Sequence, residues 1–218
     1  MTKPKRIAFY GGTFDPVHYG HVAIAKRLLD MFLLDRFVFL PAFHAPHKPE
    51  HPPTTGYHRF AMLALATQDE EKISVSTLEL AHGQKRYTVE TLSEIIEENP
   101  RTQIFFVMGA DSWAEIGTWR ESEKVLLMTN HIVVTRPGYS IAFDHVTEAV
   151  RERIVDLRDG GENILRSDRP RIYVTDAVEL DVSATGIRED ISEDNHLDRE
   201  DEVPKEVAKY IEKYELYK

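Results

Sequence analysis

The strongest chemical signal in the chain is one run of eleven residues, Gly11-Gly12-Thr13-Phe14-Asp15-Pro16-Val17-His18-Tyr19-Gly20-His21. Paired glycines after an apolar run allow a backbone to approach a ligand closely. A helical pattern starts near His18, with Ala25, Leu28, Leu29 and Phe32 at the spacing of one buried face. The start of a helix offers free N–H groups and the positive end of its dipole, which together favour an anion. His18 and His21 are three residues apart and so face the same way on that helix. Two imidazoles in that place can donate hydrogen bonds to phosphate oxygens. The run has no Gly-Lys-Ser/Thr and no G-x-G-x-x-G, so it is neither a Walker loop nor a dinucleotide fingerprint. As a zinc site, His-x-x-His lacks a third ligand in register.

Such a turn needs a strand before it and a helix after it, and the chain repeats that unit. Short β-prone runs predict strands at 7–10, 37–40, 73–77, 104–108, 131–135 and 171–175. Helices are expected from near His18, over 57–67, from a cap at Thr88 to a stop at Asn99-Pro100, and over 121–128, 144–157 and 183–191. Pro204 opens a last helix with Val207, Tyr210 and Ile211 on one face. Residues 41–53 read as a Pro- and His-rich loop, 158–169 as a polar, turn-rich segment and 190–202 as an acidic linker. The alternation predicts an α/β fold, a Rossmann-like doubly wound parallel sheet with helices on both faces. The expected organisation is a single domain over 1–218, with 183–218 as a small C-terminal helical portion. In such sheets ligands sit outside the carboxyl ends of the strands.

Composition narrows the function classes. Lys and Arg total 27 against 37 Asp and Glu, a net charge of −10, which disfavours a general nucleic-acid or anionic-membrane binder. With no cysteine there is no disulfide framework, thiolate metal site or cysteine nucleophile. No apolar run has the length of a membrane span or of an export signal, so the cytoplasm is the expected compartment.

The eleven-residue run resembles the first motif of the nucleotidylyltransferase superfamily, and its Gly-Gly head resembles the nicotinate mononucleotide adenylyltransferase family. Four other stretches carry the same resemblance. Pro46-His47-Lys48 is similar to the family's Pro-His-Lys loop, and a lysine over the strand ends can neutralise phosphate as a mobile point charge. Six of the ten histidines fall between His18 and His58, which fits a phosphate-rich pocket. Glu79-Leu80 and Tyr87-Thr88-Val89-Glu90-Thr91-Leu92 resemble the segment beside the pyridine nucleotide, with Arg86 where the family has serine. Gly109-Ala110-Asp111 with Trp119 eight residues later resembles the family's Gly-Ala-Asp…Trp block, while Trp113 reads as core. Arg136-Pro137-Gly138 is similar to its Arg-Pro-Gly loop, and Ser183-Ala184-Thr185-Gly186-Ile187-Arg188 to its Ser-Ser-Thr-x-Ile-Arg motif, with Ala184 in place of a serine.

The resemblance implies that ATP and nicotinate mononucleotide give nicotinate adenine dinucleotide and pyrophosphate, with Mg²⁺ accompanying ATP. It implies catalytic roles for His18, His21, Lys48 and Arg188. ATP would be held by Gly11, Gly12, Thr13, Phe14, Gly109, Asp111, Ser183 and Thr185, and the pyridine nucleotide by Asp15, Tyr87, Thr88, Trp119 and Arg136. No protein metal ligand is implied, and a homo-oligomer is compatible with the sequence. The rivals are phosphopantetheine as substrate, nicotinamide in place of nicotinate mononucleotide, and a ligand-sensing module on this fold without catalysis. The Pro-His-Lys loop and the Gly-Ala-Asp…Trp block argue against the first.

Overall fold

The computed structural model describes residues 3–43, 53–135, 140–158, 169–176, 178, 182–194 and 202–218. Among them, seven parallel strands form one sheet: β1 (Arg6–Gly12), β2 (Arg36–Pro41), β3 (Ile73–Val75), β4 (Gln103–Gly109), β5 (Asn130–Val134), β6 (Ile154–Asp156) and β7 (Ile172–Thr175). Their spatial order is β3-β2-β1-β4-β5-β7-β6. Phe9 of β1 lies opposite Val38 of β2 and Phe106 of β4, which fixes the register at the centre.

Strand residues alternate between the two faces, and each face has its own apolar layer. Ala8, Tyr10, Phe37, Phe39, Phe105, Val107 and Ile132 pack with Leu28 and Phe32 of α1 (Tyr19–Met31) and its C-cap, and with Met62 and Leu63 of α2 (Gly56–Ala66). Ile187 and Ile191 of α8 (Ala184–Asp194) and Val207 and Ile211 of α9 (Lys205–Lys213) belong to the same layer. The C-terminal helices therefore help to close the sheet's first face.

Phe9, Val38, Ile104, Phe106 and Val133 form the second layer. They pack with Leu92 and Ile95 of α4 (Thr88–Glu98), Trp113 of α5 (Ala110–Ala114), Val125 and Leu126 of α6 (Ser122–Met128) and Val150 of α7 (Glu148–Arg151). Helices on both faces and near-continuous apolar strands are what a doubly wound Rossmann-like sheet requires. Among the described residues no helix is long and apolar enough to cross a membrane.

Several local expectations are corrected. The helix expected over 144–157 is a four-residue α7 followed by β6, because Ile154 and Val155 pair with Ile172 and Tyr173 at the sheet edge. The strand expected at 73–77 ends at Val75, and Leu78–Ala81 forms the short helix α3. The N-cap of α4 is Tyr87, with Thr88 as its first helical residue. α8 runs past Ile191 to Asp194, into what reads as the acidic linker; residues 195–201 lie outside the described ones, as do 159–168 of the turn-rich segment.

Candidate active site

Strands are added outward in one direction from β1 and in the other from β4, so the topological switch point lies between these two neighbours. A ligand crevice is expected over their carboxyl ends, where β1 gives way to the first motif and β4 to Gly109-Ala110-Asp111.

The turn after β1 is held by aromatic packing. Phe14 has φ 53, a left-handed conformation that costs a bulky residue about 1–2 kcal/mol. Its ring is buried edge-on to Tyr10, His21 and Phe39 at centroid distances of 5.3, 5.0 and 5.2 Å. The paired glycines serve this packing. A Cβ on Gly11 would come within 2.8 Å of the Phe106 ring, and one on Gly12 within 2.7 Å of the Phe14 ring. Gly109 differs: a Cβ there would meet none of the described residues within 4 Å, so among them this strand end faces open space. The Asp15–Pro16 peptide is cis.

His18 is the N-cap of α1 and His21 its third residue, with the two rings 3.8 Å apart. The His18 backbone N–H donates to His21 Nδ1 at 3.3 Å. Nδ1 of His21 is therefore the acceptor nitrogen, and its proton sits on Nε2. Burial first, and the His18 ring second, hold the His21 pKa well below the usual histidine range. The pair thus presents a neutral imidazole whose one donor, Nε2–H, has no partner among the described residues. The Tyr19 amide is spent on the carbonyl of Glu202 at 2.9 Å, so part of the helix start is closed by protein.

Three other segments converge on this turn. Arg188 Nη1 donates to the carbonyls of Asp15 at 2.6 Å and Ala184 at 3.1 Å, and its Nη2 donates to Thr185 Oγ1 at 3.3 Å. The last motif is thereby folded onto the first. Ser183 Oγ caps α8 by accepting from the Gly186 amide at 3.5 Å. Asp15 is only 6% exposed, and its carboxylate accepts from the Thr54 amide at 3.1 Å and from Tyr217 Oη at 2.7 Å. Burial and Asp15 together push the Tyr217 phenol far above its ordinary pKa, so it stays a donor. Arg59 of α2 is wholly buried and donates to the carbonyls of Thr54, Thr13 and Ala42 at 2.8, 2.7 and 2.5 Å. Glu79 accepts from Thr91 Oγ1 at 3.1 Å, and its burial raises its pKa.

On the β4 side, Asp111 is exposed on the first turn of α5. Burial of the Tyr10 phenol first, and the Asp111 charge second, lift the Tyr10 pKa to about 12, which places Asp111 near the first motif. Trp119 is half-buried against Phe106, edge-on at 6.5 Å. Its neighbour Arg120 lies over the Tyr87 ring at 4.8 Å and 3.7 Å from Glu90. The start of α4, with half-buried Thr88, is thus brought beside the Trp119 segment. Arg86 is paired with Glu94 at 2.7 Å, and His82 also reaches Glu94 at 3.3 Å. Trp113 is core, its Nε1 donating to the Ala142 carbonyl at 2.9 Å.

Lys48 and Arg136 lie outside the described residues, as do His44, His47 and His51. His58 is hydrogen-bonded to Tyr210 Oη of α9 at 2.9 Å. Among the described residues no cluster of three or more His, Asp or Glu could hold a metal ion. Sequence reasoning missed Arg59, Tyr217 and Arg120. Arg59 did leave a signal, since it stands in helical register with the buried Met62 and Leu63.

The sequence pattern of the family described as cytidylyltransferase-like matches residues 9–190. A Thermoanaerobacter sp. (strain X514) protein named "Probable nicotinate-nucleotide adenylyltransferase" is 34% identical over 100% of this chain and 97% of its own. One of the same name from Desulfitobacterium hafniense (strain Y51) is 36% identical over 99% and 97%. Among solved structures, Plasmodium falciparum nicotinic acid mononucleotide adenylyltransferase complexed with NaAD superposes with a TM-score of 0.73 at 21% identity, covering 98% of this chain and 97% of that one, a likeness of fold. The chain belongs to the cytidylyltransferase-like family, among the nicotinate-nucleotide adenylyltransferases.

Proposed function

We propose that the protein joins ATP to nicotinate mononucleotide, releasing nicotinate adenine dinucleotide and pyrophosphate, as a step of NAD biosynthesis. The observation that carries this reading is the close His18–His21 ring pair at the start of α1, with Arg188 folded onto the same turn. A phosphate oxygen of the mononucleotide attacks the α-phosphorus of ATP. A new O–P bond forms as the bond to the oxygen bridging to the β-phosphate breaks, and the electron pair leaves with pyrophosphate. The nucleophile is already an anion, so no general base is needed. Catalysis is then alignment of two anions and stabilisation of charge.

His21 Nε2–H and the His18 ring hold the triphosphate, and the Arg188 fork and Lys48 neutralise the leaving phosphates. Ser183 and Thr185 orient phosphate from the start of α8. The open strand end at Gly109 admits the ATP ribose, with Asp111 accepting from its hydroxyls. Tyr87, Thr88, Trp119 and Arg136 receive the pyridine nucleotide. Asp15 serves the site by shaping the turn, since both carboxylate oxygens are engaged inside the protein. Mg²⁺ enters as part of the substrate, carried by ATP phosphates and water.

The test is pyrophosphate release with ATP and Mg²⁺, offering nicotinate mononucleotide, nicotinamide mononucleotide and phosphopantetheine separately. Turnover with the first alone is the expected result. Equal turnover with both pyridine substrates replaces it with a dual-specificity enzyme. Silence with all three, from folded protein that still binds ATP, overturns the reading in favour of a nucleotide sensor.

A further inference from the structure

Arg59 is an arginine with no solvent exposure on the apolar stripe of α2. Each of its three side-chain nitrogens donates to a main-chain carbonyl, and the three carbonyls belong to different segments. Nη1 takes Thr13, in the turn after β1; Nη2 takes Ala42, where the chain leaves β2; Nε takes Thr54, on the approach to α2. A guanidinium is planar, with its donors in a fixed fork, so one side chain sets the mutual spacing of all three segments. Burial opposes its charge, and Asp15 and Glu79 support it. Asp15 closes the same unit from the other side by accepting from the Thr54 amide and from Tyr217 Oη.

We propose that Arg59 is a positioning residue that fixes the distance between the phosphate-binding turn after β1 and the loop leaving β2, acting through backbone carbonyls alone. Its kinetic expression rests on the adenylyltransferase reaction proposed above; its structural expression does not. The turn after β1 leads to His18 and His21, and the segment after Ala42 leads toward Lys48. Loss of the fork leaves each segment able to bind phosphate but misaligns the two anions. The kcat falls while the KM for ATP is spared.

The experiment compares the full-length wild type with Arg59→Lys, which keeps the cation and loses the fork, and Arg59→Met, which loses both. A misplacement of the order of 1 Å in a reacting geometry costs about 100-fold in rate, so Arg59→Lys is expected to lose about 100-fold in kcat. Its ATP KM is expected to stay within about threefold. In parallel, amide hydrogen exchange is expected to accelerate about tenfold or more at residues 13–15 and 42–43, with β4 and the middle of α1 unchanged. A purely structural role would instead speed exchange across the whole sheet and leave kcat per folded molecule intact.

Arg59→Lys with wild-type kcat, or with unchanged exchange in both loops, overturns the proposal. Should the wild type fail to turn over nicotinate mononucleotide, the assigned reaction falls, and the exchange pattern alone decides Arg59. Should neither substitution fold, Tyr217→Phe removes one donor to Asp15 from the same unit. Faster exchange at 13–15 with a spared ATP KM is then expected, and wild-type behaviour overturns the proposal.

Discussion

Two buried arginines stand at opposite ends of the central strands and use the same chemistry for different ends. Arg6 opens β1 at the amino end, 6% exposed. It donates from Nε to Gln103 Oε1 at 3.0 Å, from Nη1 to the Phe32 carbonyl at 3.4 Å, and from its amide to Asp35 Oδ2 at 2.7 Å. Those partners are a strand start, a helix end and the lead-in to β2. Arg59 sits at the carboxyl end, and its partners are carbonyls of loops. The histidines divide in the same way. His131 of β5 is fully buried near the amino end, donating from Nδ1 to the Thr129 carbonyl at 3.1 Å while its Nε2 has no hydrogen-bond partner among the described residues. His21 is also held below its ordinary pKa, but its Nδ1 accepts from the His18 amide, so the proton stays on Nε2, which has no partner among the described residues. A shifted pKa or a buried charge therefore does not mark a site by itself. The carboxyl end differs because its donors are organised around loops, and one of them has no partner among the described residues.

This contrast can be broken experimentally, beginning with the largest expected effect. His21→Ala removes that Nε2–H donor, and turnover is expected to fall about 10²–10³-fold with stability changed by less than about 1 kcal/mol. Intact turnover would erase the distinction between the two ends.

At the amino end, burial lowers the His131 pKa from 6.5 to about 4. The unfolded chain binds this proton more readily, so stability is lost as pH falls from 6.5 toward 4, by about 3 kcal/mol for this residue. His131→Leu should flatten that part of a denaturant-midpoint-against-pH curve and leave turnover at pH 7.5 unchanged.

Arg6→Met strands the acceptors that the side chain serves and is expected to cost about 1–3 kcal/mol in chemical denaturation, with kcat unaltered. A fall in kcat there would mean that the amino end also tunes the site. Trp119→Ala should raise the KM for nicotinate mononucleotide about tenfold, the loss of one aromatic face, while the ATP KM stays put. An effect on ATP alone would move Trp119 out of the pyridine subsite.

Legibility in the sequence follows the same division. The first motif, the β-prone runs of the central strands and the amphipathic face of α4 are local patterns, and they reappear as β1, β2, β4, β5, β7 and α4. The stretch around β6 misleads because Val150, Ile154 and Leu157 are spaced as on a helix, while pairing with β7 draws Ile154 and Val155 into the sheet. The glycines of the first motif suggest close approach of a ligand, but the space they leave is taken by Phe106 and Phe14. Arg59 leaves its helical register with Met62 and Leu63 as its one signal, because its partners are carbonyls, which every residue has. Tyr217 is hidden for another reason: its acceptor lies 202 residues away.

That separation has a consequence for how the protein is made. The turn after β1 is translated ahead of the hydroxyl that closes on Asp15, which follows 202 residues later. A nascent chain can pair β1, β2 and β4 long before this link exists. The turn is thus translated well before the bond that closes it, and its full hydrogen bonding can follow the pairing of the central strands.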